Sequence, residues 1–298
     1  MGEIEEMSEE LQSIYLSNMD EAPARRLARE AFKDVQFAID HCLFQFPSDR
    51  VKMEEVYEVN SRGLKVFTKS WLPEKSPLKA IVCYCHGYAD TCTFYFEGVA
   101  RKLASSGFGV FALDYPGFGL SDGLHGYISS FDDLVNDVIE HFSKVKEQKE
   151  YEHLPSFLLG ESMGGAIALK IHFKQPNEWD GAALIAPLCK APYNVLLYKD
   201  RPRLGTALEL FKATQELEQR LEEVSLPLLI MHGEADIITD PLASKALYQK
   251  AKIKDKKLCL YKDAFHTLLE GEPDETIFHV LDDIISWLEE HSNTKNKV

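Results

Sequence analysis

Three side chains have the types and the order along the chain to serve as nucleophile, acid and base in a nucleophilic attack: Ser162, Asp236 and His266. Ser162 stands in "FLLGESMGGAIAL", where an apolar run gives way to Gly160-Glu161-Ser162-Met163-Gly164 and then to a second apolar run. A serine hydroxyl is a weak nucleophile at neutral pH. It needs a base within hydrogen-bond reach and an acid that holds the base in the right tautomer. The Gly-x-Ser-x-Gly spacing suits a sharp strand-to-helix turn, because Gly160 and Gly164 leave room for neighbouring backbone while the strained serine is exposed. A simple turn serine is the rival reading. The strand-like "SFLL" before it and the helical "GAIALKIHF" after it favour the nucleophile.

His266, in the loop after "KLCLYKDAF", is the expected base. Its rival His232, in "MHG", precedes the acid, whereas nucleophile, acid and base in that chain order recur where all three sit at strand ends. Asp236 competes with Asp240 in "GEADIITDP". Asp240 directly precedes Pro241 and a helical stretch, so capping that helix accounts for it and Asp236 is left as the acid. The tetrahedral intermediate also needs backbone donors. Met163, the residue after the nucleophile, is expected to supply one, and Tyr88, after Gly87 in "CHGYADT", the other. His86 then reads as a structural residue of that loop.

The elements that must position these residues are legible as a rhythm. Short apolar runs (Ala80 to Cys85, Gly109 to Leu113, Ser156 to Leu159, Gly181 to Ile185, Pro227 to Met231, Lys257 to Tyr261) alternate with amphipathic stretches such as "SFDDLVNDVIEHFSKVK" and "DETIFHVLDDIISWLEEH". Continuously apolar strands between helices predict a doubly wound α/β fold, a mostly parallel sheet covered on both faces. In such sheets ligands bind beyond the carboxyl ends of the strands, where Tyr88, Ser162, Asp236 and His266 all fall. Before this rhythm, "VKMEEVYEV" and "LKVFTKSWL" predict an antiparallel hairpin turned at Asn60-Ser61-Arg62-Gly63. Earlier still, "DEAPARRLAREAFKDVQFAIDHCLF" predicts one helix, capped by Asp20, with Pro23 in its first turn. Its apolar stripe is Leu27, Ala31, Phe32, Val35 and Ala38, and Arg25, Arg26 and Arg29 read as a solvated face.

The chain of 298 residues is 45% hydrophobic and carries a formal net charge of -15. Such an acidic surface disfavours nucleic-acid phosphates, so a small-molecule partner is expected, with no partner protein indicated. Cys42, Cys83, Cys85, Cys92, Cys189 and Cys259 show no CxxC pair and no zinc spacing, which predicts no metal and a reducing compartment. Cys83 and Cys85 would share one strand face. The acidic "MGEIEEMSEE" lacks the basic start of a secretory signal, Glu6 stands where a myristoylation signal wants Ser or Thr, and no apolar run approaches the roughly 20 residues that span a bilayer. A soluble, cytoplasmic protein is expected.

Together "CHGYADT", "DYPGFGLSDG", "GESMGG", "HGEADIITDP" and "AFHTLLEGEPDE" resemble the plant monoacylglycerol lipase-like serine hydrolases, a group with caffeoylshikimate esterase and lysophospholipase-like members. The resemblance runs from about Val56 to the C-terminal helix. It implies an α/β-hydrolase fold that cleaves carboxylic esters through an acyl-enzyme without a cofactor. The family's nucleophile, acid and base fall on Ser162, Asp236 and His266, and its oxyanion donors on Tyr88 and Met163. Two departures stand out. Gly117-Phe118-Gly119 occupies a place where the family often has Gly-His-Gly, and only Ala191 to Leu197 separate "GAALIAPLCK" from "YKDRPRLG", where members usually carry a helical cap of a few dozen residues.

The domain reading is therefore residues 1–50 as an N-terminal helical extension and 51–298 as the hydrolase domain, with a short cap remnant near 187–203. The expected substrate is a monoacylglycerol or lysophospholipid, with possible weak peripheral membrane contact. The alternatives are a phenolic ester of the caffeoylshikimate type and, from another class, a non-catalytic ligand receptor or scaffold on the same fold.

Overall fold

The computed structural model describes residues 8–47, 50–190 and 203–293. Eight strands form one sheet in the order β1-β2-β4-β3-β5-β6-β7-β8. The hairpin of β1 (Val51–Val59) and β2 (Lys65–Pro73) is antiparallel, with Val56 opposite Thr68. Its turn places Gly63 at φ 77°, in the left-handed region that glycine enters without a Cβ penalty. β2 also pairs antiparallel with β4 (Phe108–Leu113). From β4 onward, β3 (Ala80–Cys85), β5 (Ser156–Glu161), β6 (Gly181–Ile185), β7 (Leu228–Gly233) and β8 (Lys256–Tyr261) run parallel. β3 through β7 are buried along their whole length, as the continuous apolar runs require.

Alternation along each strand divides the interior into two cores. Ile81, Cys83 and Cys85 face one core, with α4 (Phe131–Lys146), α5 (Met163–Lys174) and α6 (Leu204–Arg220) packed over it. Ala80, Val82 and Tyr84 face the other, under α3 (Phe96–Ser105) and α8 (Asp274–Ser292). The remaining described helix on the parallel side, α7 (Pro241–Lys250), adds Ala243 and Leu247 to the first core.

The N-terminal segment departs from the single helix its sequence suggests. After α1 (Glu9–Leu16), α2 runs only from Ala22 to Phe32, and short 3-10 turns follow at Val35–Ala38 and Cys42–Gln45. Asp20 caps nothing with its side chain; the N-cap is Glu21, and Asp20 instead pairs with Arg203 at 2.7 Å. The apolar stripe is inverted as well. Leu27, Phe32 and Val35 are exposed, whereas Arg25, read as solvated, is buried. All three Arg25 nitrogens donate to carbonyls: Nε to Gly119, Nη1 to Met19 and Asp20, Nη2 to Ser121 and Gly123. A guanidinium presents five donors in a rigid fork, and a loop offering several free carbonyls outcompetes the weak burial tendency of a short helix. The suggested cap remnant lies mostly outside the described residues, which resume at Arg203.

Candidate active site

The turn after β5 is built by close approach. A Cβ on Gly164 would fall on the Cys85 carbonyl oxygen, and one on Gly165 would come within 2.6 Å of the Pro187 side chain. Ser162 itself takes φ 52° and ψ -115°, outside the regions ordinary side chains favour, and α5 begins at the next residue. Two bonds to the neighbouring strand and loop hold it there: its N–H donates to Ile185 O, and its carbonyl accepts from Leu188 N–H, both at 2.9 Å. The elbow therefore points the hydroxyl out of the sheet at the positive end of α5.

The structure brings Ser162, His266 and Asp236 into one hydrogen-bonded chain. Ser162 Oγ lies 2.9 Å from His266 Nε2, and His266 Nδ1 donates to Asp236 Oδ2 at 2.7 Å. Asp236 is buried and fully occupied. Its Oδ1 accepts from the Ile238 and Thr239 N–H groups at 2.7 and 3.0 Å. Its Oδ2 also meets His232 Nε2 at 3.0 Å and the Thr239 hydroxyl at 2.8 Å. Burial alone would push this carboxyl up; hydrogen bonds from His232 and His266 overcome it and hold Asp236 well below the usual carboxylate range. Asp240 stands apart, accepting from Leu242 N–H as the N-cap of α7.

His232 and Thr239 escaped the sequence reading as partners of the acid. Their spacing from Asp236 was the available signal, because a residue four before and one three after a loop aspartate can fold back onto its carboxylate. His86 is wholly buried, stacked on Tyr115 with ring centroids 3.8 Å apart. Its Nδ1 donates to Gly87 O and its Nε2 accepts from Tyr115 N–H. Burial lowers it to about 4, so it is neutral and fixes the loop that carries Tyr88. Phe118 packs edge-on against His86 and Tyr88 and is an apolar wedge.

Gly87, Tyr88, Ser162, Met163 and His266 line one pocket of about 650 Å³, its walls completed by Phe94, Leu188, Leu210, Ile237, Ile238 and Phe265. That volume is in the range that holds a small amphiphile. Among the described residues no cluster of side chains is suited to a metal ion.

A serine on a strand-to-helix elbow, relayed to a histidine and an aspartate across the ends of parallel strands, defines an α/β-hydrolase. The chain belongs to the hydrolase family described as serine aminopeptidase, S33, whose model matches residues 76–196 and 191–274. It is 31% identical to caffeoylshikimate esterase of Arabidopsis thaliana, over 82% of this chain and 88% of that one, and 30% identical to human monoglyceride lipase, over 79% and 90%. In fold it is similar to a soluble variant of the Saccharomyces cerevisiae monoglyceride lipase solved with a substrate analogue (TM-score 0.68, 22% identity, 83% of this chain and 98% of that one). The two matched stretches overlap at residues 191–196.

Proposed function

We propose that the protein is a serine hydrolase that cleaves the carboxylic ester of a monoacylglycerol through an acyl-enzyme. The observation that carries the reading is the Ser162–His266–Asp236 hydrogen-bond chain on the wall of a largely apolar pocket of about 650 Å³. In the first half-reaction His266 Nε2 takes the Ser162 proton as Oγ attacks the ester carbonyl, and Asp236 stabilises the imidazolium through Nδ1. The N–H groups of Tyr88 and Met163 serve the oxyanion. His266 then protonates the departing alcohol, and water, activated by the same histidine, releases the fatty acid. No cofactor enters these steps.

Charge narrows the alcohol. Asp90, Glu161 and Glu270 line the pocket and no Lys or Arg does among the described residues, so a lysophospholipid phosphate would find no Lys or Arg to pair with there. The phenolic alternative draws on the 31% identity to caffeoylshikimate esterase, but shikimate also brings a carboxylate. The amphiphilic substrate and the exposed Ile237 and Phe265 at the pocket support weak peripheral membrane contact. The six free cysteines fit a cytoplasmic location, and no helix among the described residues is long and apolar enough to cross a membrane.

Purified protein compared on monoacylglycerol and caffeoylshikimate tests the assignment, with Ser162→Ala as control. The expected result is turnover of monoacylglycerol, abolished in the variant, and labelling of Ser162 by a fluorophosphonate. Failure to label would favour the non-catalytic receptor, and activity in the variant would exclude the mechanism.

A further inference from the structure

Three carboxyl groups converge beside the nucleophile, and among the described residues that line the pocket no Lys or Arg is set against them. Asp90 ends the loop that carries Tyr88, Glu161 directly precedes Ser162 at the end of β5, and Glu270 follows His266 before α8; all three line the substrate pocket. They also line an adjoining cavity of about 10 Å³, shared with Tyr84 and Tyr95. The Tyr84 hydroxyl lies 3.4 Å from Asp90 Oδ2 and 3.3 Å from Glu161 Oε2, and its single proton can serve only one of them. Glu161 is 8% exposed, and its Oε1 has no hydrogen-bond partner among the described residues. The other groups facing this corner are His266, held by Ser162 and Asp236, His41, whose Nε2 meets the Glu270 carbonyl, and Asp114 behind Asp90. The rings of Tyr88, Phe94 and Tyr95 complete the wall.

A buried carboxyl oxygen without a donor is costly, and three neighbouring carboxyls cannot all ionise unaided. Burial, then the repulsion of Glu270, pushes Asp90 up to about 7, and burial raises Glu161 and Glu270 as well. Both demands are met together by a ligand that brings positive charge, which aromatic faces also attract. We infer that Asp90, Glu161 and Glu270 form the subsite for the alcohol portion of the ester and select an alcohol bearing an ammonium group over a neutral alcohol of the same shape. This inference rests on the ester-hydrolase reading above and not on its choice of alcohol: the neutral glycerol of a monoacylglycerol is then an alcohol that the site accepts and not the one it prefers.

Decanoyl esters of choline and of 3,3-dimethylbutanol test it, because the two alcohols differ by a permanent charge at nearly constant shape. The wild-type protein should favour the choline ester in kcat/KM by about tenfold or more at about pH 8, which corresponds to about 1.4 kcal/mol. The preference should shrink at about pH 6, where Asp90 keeps its proton. Glu161→Gln should remove most of the discrimination, with fluorophosphonate labelling of Ser162 showing that the site is assembled; Glu270→Gln provides the same readout if the first variant does not label. Equal kcat/KM for the two esters, or preference for the neutral one, overturns the inference and leaves ester hydrolysis standing. If neither ester nor monodecanoylglycerol is cleaved, the hydrolase reading itself fails.

Discussion

At the scale of residues, Asp236 carries more than the role its position suggests. Its Oδ2 is shared by His266, His232 and the Thr239 hydroxyl, so the carboxylate is locked in one orientation before any substrate arrives. In Asp236→Asn, an amide NH₂ at the Oδ2 position would donate toward His266 Nδ1 and force the proton onto Nε2, the nitrogen that must accept from Ser162. We expect kcat to fall on the order of 10⁴-fold with KM little changed, measured on a soluble monoacylglycerol. A variant keeping more than about a tenth of the wild-type kcat would remove Asp236 from that role. That Ser162, Asp236 and His266 meet was legible because local motifs and chain order set them at one sheet edge. Asp90, Glu161 and Glu270 were not, because each is ordinary in its own segment and only the fold brings them to one wall.

At the scale of elements, the sheet was legible and the N-terminal segment was not, for one physical reason. A strand buried on both faces must be apolar throughout, so the runs ending in Cys85, Ile185 and Met231 announce themselves. Helix α2 lies on a surface instead, and its place is set by polar side chains binding a loop. Arg25 reaches the carbonyls of Gly119, Ser121 and Gly123, and Arg26 adds Nε to Leu120 O and an ion pair to Asp122 at 2.8 Å. No periodicity could reveal that, since the partners are backbone oxygens. Arg25→Met keeps much of the buried stem and removes every donor, leaving buried carbonyls unsatisfied. Thermal unfolding should show a loss of about 2–4 kcal/mol, and limited proteolysis should cut sooner within residues 8–32. Unchanged melting and cleavage would mean that α2 is held by something other than Arg25.

At the scale of the whole molecule, the site's buried ionisable groups tie stability to pH in opposing directions. His86 titrates at about 4 in the folded protein against an ordinary 6.5, so unfolding takes up a proton between these values. The stability it permits is complete above 6.5 and is lost as pH falls toward 4. Asp236, held low, acts in the same sense at more acid pH. Asp90 acts in reverse. Its folded value of about 7 lies above the ordinary 3.8, so the folded state binds the extra proton, and stability falls as pH rises between these limits. The acidic corner is therefore a stability cost at neutral pH, which follows if these carboxyls are kept for a ligand and not for folding. Asp90→Asn keeps an oxygen for the Thr91 N–H, which Asp90 Oδ1 accepts at 2.7 Å, and removes the titration. The difference in unfolding free energy between this variant and the wild type, followed by denaturant titration, should shift in the variant's favour as pH rises from about 5 to about 8. A difference that stays flat across that range would show that Asp90 is ionised throughout in the folded protein.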